Sequence, residues 1–115
     1  MKNKTATIWV SSGFKAYHYH GGALNEDKHS HDFKYKIFLK GPLNKEGFLV
    51  DFREVEKLLN IINADLENKI LNDIIPPATT EILAIYLFKE IKKTFPQICR
   101  IELNEKENYG AIYEE

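Results

Sequence analysis

The sequence predicts an α+β domain: a four-stranded antiparallel sheet with two helices on one face, in the order strand, strand, helix, helix, strand, strand. Three observations carry this expectation. Apolar and polar residues alternate in the first forty and the last twenty or so residues, the period-2 pattern of half-buried strands. Between these stretches the apolar residues change to helical spacing, twice. Gly21-Gly22, Gly41-Pro42, Gly47, Pro76-Pro77 and Pro96 fall between the periodic stretches, where turns are needed.

The first strand is expected over residues 5–18, with Ile8, Val10, Ser12, Phe14, Ala16 and His18 on one side and Gly13 as the place for a bulge. A polar loop follows, containing Gly21-Gly22 and Asn25-Glu26-Asp27-Lys28. In the second strand Phe33, Tyr35, Ile37 and Leu39 alternate with Lys34, Lys36 and Lys40, and His29 and His31 share the apolar parity. Gly41-Pro42 ends it, and Gly47 marks a further turn. Asp51 suits the N-cap of a helix over 52–63, whose apolar side is Phe52, Val55, Leu59 and Ile62. A connection over 64–78 leads to a second helix capped by Thr79 or Thr80, burying Ile82, Ile85, Tyr86 and Ile91. Cys99, Ile101 and Leu103 then form one row of a third strand, which Glu105 continues, and Cys99 is expected in the core. Tyr109, Ala111 and Tyr113 make the fourth. An open sheet of four strands has two edges, which invite pairing with further copies of the chain.

The length of 115 residues suits one domain spanning 1–115. With 16 basic and 17 acidic residues the net charge is −1, so there is no surplus to grip a phosphate backbone and nucleic acid is not an expected partner. No apolar run approaches a membrane span, Met1-Lys2-Asn3-Lys4-Thr5 lacks a signal-peptide core, and Cys99 is the single cysteine. A cytoplasmic location, away from membranes, is the expectation.

Chemistry concentrates in four histidines, which form two His-x-His pairs: His18 and His20, then His29 and His31. Side chains at i and i+2 of an extended strand point the same way, so each pair can aim two imidazoles at one point. Residues 21–28 between the pairs are enough to turn the chain back. Converging neutral imidazoles suit Zn²⁺, and three protein ligands with one open position form a catalytic type of site. Spacing alone leaves open whether His18 or His20 joins the second pair. Glu105 ends an apolar row, where a carboxylate is costly unless it finds a donor or reaches water.

Five segments in order resemble the 6-pyruvoyl-tetrahydropterin synthase and 6-carboxy-tetrahydropterin synthase family. They are Phe14-Lys15-Ala16-Tyr17-His18, His29-Ser30-His31, Gly47-Phe48-Leu49-Val50-Asp51-Phe52, Ala78-Thr79-Thr80-Glu81-Ile82-Leu83-Ala84, and Glu105 with Tyr113. The resemblance implies the tunnelling fold (T-fold), in which subunit sheets close a barrel, and a homo-oligomer such as a hexamer built as a dimer of trimers. It assigns zinc to His18, His29 and His31, leaving His20 nearby as a spare. It assigns pterin binding to Glu105, Thr79 and Thr80, with the pterin's amino group and ring N–H donating to the Glu105 carboxylate. The implied reaction is on 7,8-dihydroneopterin triphosphate or a related reduced pterin, as in tetrahydrobiopterin, folate or queuosine pathways.

The departures from the family lie in proton transfer. Common members carry a cysteine shortly before the second histidine pair; this chain has Asn25-Glu26-Asp27-Lys28 there. The family's Leu-Asp-His segment is Leu66-Glu67-Asn68, and an asparagine does not titrate. Glu67 and Glu26 are therefore the expected proton-moving residues, with Asp27 or His20 as substitutes. Two functions follow: a lyase eliminating or cleaving the pterin side chain, or a non-catalytic homologue that keeps zinc and pterin.

Overall fold

In a computed structural model, described here for residues 4–19 and 28–115, the predicted order of elements is observed. Strand β1 (Thr5–His18) leads to β2 (His29–Pro42), helix α1 (Phe52–Leu66), a single 3-10 turn (Leu71–Asp73), helix α2 (Thr80–Lys92), β3 (Ile98–Lys106) and β4 (Tyr109–Glu114). The sheet is antiparallel throughout, in the order β1-β2-β3-β4. Both helices pack on one face. Among the described residues no helix is long and apolar enough to cross a membrane.

The β1–β2 register runs without interruption from Thr5↔Pro42 to His18↔His29. Consequently even-numbered residues of β1 and odd-numbered residues of β2 all face the helices, and the parity expected from the sequence survives to the end of both strands. No bulge forms at Gly13. The glycine is needed for a different reason: a Cβ there would lie 2.6 Å from the Phe33 carbonyl oxygen.

Bulges occur instead on β3. Phe38 pairs with Arg100 but Leu39 with Ile98, which leaves Cys99 as an extra residue. This shift overturns the expected place of Cys99: Ile98 enters the core, and Cys99 is only half-buried, its thiol 3.6 Å from the Phe38 carbonyl oxygen. At the far end Asn104 pairs with Gly110 and Lys106 with Tyr109, so Glu105 is the second extra residue. A bulged residue is released from the ladder and its side chain re-aimed.

Asp51 caps α1 by accepting from the Arg53 N–H at 2.9 Å. The helix runs beyond its expected end, to Leu66, because Ile62 and Leu66 continue its buried stripe with Val55 and Leu59. Phe52, expected in that stripe, is exposed. Thr79 caps α2 through its hydroxyl, which accepts from the Ile82 N–H at 3.1 Å. The face that α2 buries is Thr80, Leu83, Ala84, Leu87, Phe88 and Ile91. Ile82, Ile85 and Tyr86, expected to be buried, flank it half-exposed, since a helix this apolar lets the sheet choose the seam.

Residues 67–72 close the edge of β1 beside its C-terminal end. Asn68 N–H donates to the Lys15 carbonyl, Tyr17 N–H to the Lys69 carbonyl, and Tyr19 N–H to the Asn72 side-chain oxygen. That covering strip blunts one exposed edge where the chemistry-bearing residues begin.

Candidate metal centre

The β1–β2 register sets three imidazoles side by side. His18 stands opposite His29 across the ladder, and His31 is two residues further along the same face of β2. Their ring centroids form a near-equilateral triangle: 4.7 Å for His18–His29, 5.0 Å for His18–His31 and 4.8 Å for His29–His31. The rings meet edge to face, at 73°, 87° and 87°. Phe33 forms the floor, its ring 5.7 Å from both His18 and His31.

The N-terminus of α2 contributes the rest through consecutive residues. The His18 Nδ1 lies 2.9 Å from the Ala78 carbonyl oxygen. A carbonyl only accepts, so Nδ1 carries a proton and Nε2 is the ring nitrogen directed into the cluster. The Thr80 hydroxyl, in a residue 9% exposed, donates to Glu105 Oε2 at 3.1 Å. The other carboxylate oxygen, Oε1, lies 2.9 Å from His18 Nε2 and 3.0 Å from His31 Nε2. His31 Nε2 is close to that oxygen yet outside hydrogen-bond alignment with it among the described residues. The contact is therefore proximity around a shared point.

Donor atoms of His18, His29, His31 and Glu105 all lie within 4.8 Å of one another. A tetrahedral ion bound at about 2.0–2.1 Å needs donors about 3.4 Å apart, so the group fits a metal ion after modest side-chain closure. His18 Nε2 and Glu105 Oε1, 2.9 Å apart, are directed at the same point. For His31 the surroundings favour the neutral, ligand form. Burial pushes the His31 pKa below its ordinary value, and the Glu105 carboxylate only partly opposes this, with His18, His29 and Lys106 adding to the lowering.

A cleft of about 730 Å³ opens beside His31 and Glu105, flanked by Ser30, Asn104, Lys106 and Asn108. That is ample for a bicyclic heterocycle with a polar side chain.

The family described as 6-pyruvoyl tetrahydropterin synthase matches residues 7–115. The chain belongs to that family. It is similar to a putative 6-carboxy-5,6,7,8-tetrahydropterin synthase of Archaeoglobus fulgidus, 27% identical over 105 residues, covering 90% of this chain and 91% of that protein. It is also similar to a dihydroneopterin monophosphate aldolase of Pyrococcus furiosus, 28% identical over 92 residues, or 77% of this chain and 80% of that one. The fold matches the Caenorhabditis elegans 6-pyruvoyl tetrahydropterin synthase with a TM-score of 0.85 at 17% identity, over 97% of this chain and 96% of the other. A Plasmodium vivax 6-pyruvoyltetrahydropterin synthase variant, its substituted glutamate named as a catalytic residue, matches with a TM-score of 0.84 at 14% identity, covering 98% and 99%. The T-fold expectation is thus met.

The sequence-predicted residues divide into four groups. His18, His29, His31, Glu105 and Thr80 come together. Thr79 caps α2 beside them. Glu67 stays outside the cluster; its Oε2 accepts from the Lys15 N–H at 2.8 Å as part of the strip along the β1 edge. Glu26, Asp27 and His20 lie outside the described residues. Two contributors escaped sequence reasoning, the Ala78 carbonyl and the division of labour between Thr79 and Thr80. The Ala78-Thr79-Thr80 run signalled a helix start, but which hydroxyl caps and which turns to the sheet depends on how α2 docks.

Proposed function

We propose that this chain is a zinc-dependent enzyme of pterin metabolism, acting on 7,8-dihydroneopterin triphosphate or a related reduced pterin by eliminating or cleaving its side chain. The observation that carries this reading is the convergence of three imidazoles and one carboxylate, two of which, His31 and Glu105, line an open cleft. A bound zinc ion supplies Lewis-acid polarisation of a side-chain oxygen of the substrate. His18, His29 and His31 hold the ion, with His18 oriented by the Ala78 carbonyl. Glu105 accepts the amino group and ring N–H of the pterin, a paired donor edge that suits a carboxylate. Thr80 fixes the carboxylate plane, and Thr79 keeps the α2 N-terminus in register.

Glu26 is the proton carrier in this reading, three residues ahead of His29 in the chain. A catalytic glutamate in a Plasmodium vivax relative supports a carboxylate in that role, and the aldolase name of the Pyrococcus relative supports carbon–carbon cleavage. Glu67 is assigned to holding the β1 edge, its carboxylate being engaged by Lys15 N–H. The same engagement, together with Asn68 where the family has a histidine, favours a second reading: zinc and pterin binding without turnover. We also assign the chain to a cytosolic homo-oligomer closed through its sheets, since Trp9 and Ile112 lie exposed on strands of the sheet, 54% and 57% accessible.

Zinc-loaded protein is incubated with 7,8-dihydroneopterin triphosphate and, separately, its monophosphate, and products are followed by mass. Consumption that disappears in Glu26→Gln supports the enzyme. Tight pterin binding with no consumption moves the assignment to the second reading, and neither binding nor consumption overturns both.

A further inference from the structure

We infer that Glu105 is a fourth metal ligand in the resting protein, so that substrate must take this carboxylate away from the ion before the site is open. The inference rests on the metal-centre reading above and adds a coordination change to it.

Three observations lead there. The first is the position of Glu105 Oε1, 2.9 Å from one histidine nitrogen and 3.0 Å from another, with His31 outside hydrogen-bond alignment. The His31 contact is thus proximity of two donor atoms and not an aligned hydrogen bond. An oxygen equidistant from two nitrogens instead occupies a corner of a polyhedron, and its spacing is near the edge length of about 3.4 Å that tetrahedral zinc requires. The second is the other oxygen. Oε2 is held by the Thr80 hydroxyl, which fixes the carboxylate rotation and leaves Oε1 directed at the imidazoles. The third is the backbone. Glu105 is the extra residue of the bulge, so its side chain is set by a local departure from the ladder. Gly110 makes that departure possible. A Cβ on residue 110 would overlap the Leu103 carbonyl and come within 2.9 Å of the Asn104 Cα.

A heterocycle that pairs with both oxygens of Glu105 competes with the ion for Oε1 and with Thr80 for Oε2. Substrate entry therefore coincides with a vacated coordination position, the one at which a substrate oxygen is polarised. In the absence of pterin the fourth position is closed.

Apo-protein prepared by chelation is titrated with Zn²⁺ against a chromophoric chelator and with Co²⁺ by visible absorption, folding of each variant being checked by circular dichroism. Glu105→Ala and the shape-conserving Glu105→Gln are each expected to bind Zn²⁺ at least about 10-fold more weakly, since partners outside a ligand set are already worth about 10–100-fold. The Co²⁺ bands of wild type are expected to shift on adding 7,8-dihydroneopterin, and those of Glu105→Ala to differ from wild type before any pterin is added. Wild-type Zn²⁺ affinity and an unchanged Co²⁺ spectrum in both Glu105 variants overturn the inference while leaving the three-histidine site standing. Wild-type Zn²⁺ affinity in His29→Ala overturns that site itself.

Discussion

Replacing Tyr35 by Phe gives the sharpest quantitative prediction, because one hydroxyl links the two layers beneath the histidines. Tyr35 on β2 donates to Asn63 Oδ1 of α1 at 2.7 Å, and Asn63 Nδ2 donates to Ser12 Oγ of β1 at 2.7 Å. The Tyr35 ring lies 6.2 Å from Phe14, which stacks 5.5 Å from Phe33, the floor of the metal centre. Burial pushes the Tyr35 pKa up to about 12 from an ordinary 10.0, against the opposing hydrogen bonds of Ser12 and Asn63. At neutral pH, Tyr35→Phe removes one hydrogen bond and leaves Asn63 Oδ1 bare, a loss of about 1–2 kcal/mol. In alkali the sign reverses. The folded state keeps its proton while the unfolded chain releases one above pH 10, so wild-type stability is fully present below pH 10 and is lost as pH rises toward 12. At about 1.4 kcal/mol per pH unit, the loss reaches about 1.4 kcal/mol at pH 11 and at most about 2.7 kcal/mol beyond pH 12. The variant has no such term, so the two stability curves approach one another and cross near pH 11. Urea unfolding of both proteins at several pH values between 7 and 11.5 measures the difference directly. Titration of Tyr86 and Tyr113 is common to both and cancels. A difference that stays constant across this range refutes the argument, since it would mean that Tyr35 ionises equally in both states.

Two further outcomes are expected. Gly110→Ala pushes β4 away from Leu103 and Asn104, costing about 1–3 kcal/mol by overpacking and loosening the Glu105 bulge; a thermal shift assay with a Zn²⁺ titration reads both effects, and an unchanged melting temperature and affinity count against the close approach. Light scattering at micromolar concentration should return a mass several times that of one chain, and a monomer mass would remove the oligomer assignment.

The sequence by itself determined the order of elements, their type and the face on which the histidines stand. Side-chain parity along an extended strand is a local property, so His18, His29 and His31 could be placed on the apolar side without knowing what covers it. Helix caps are equally local, and Asp51 and Thr79 sit where their residue types allow. Tertiary structure decided whatever depended on a partner strand or a docking angle. Bulges at Cys99 and Glu105 arise from mismatched registers between strands, which one strand's own sequence does not encode. Alternation in β3 therefore misplaced Cys99. The buried side of α2 was chosen by the sheet, because its residues are apolar on several sides and Leu83, Ala84, Leu87, Phe88 and Ile91 are the apolar ones that become fully buried. Glu67 and Glu105 show the same division at the site. As residue types both are carboxylates fit for acid–base or binding work, yet one is drawn to the amide of an edge strand and the other to a threonine and two imidazoles. What a carboxylate can do is fixed by the groups that long-range folding brings within about 3 Å of it, and those groups lie tens of residues away along the chain.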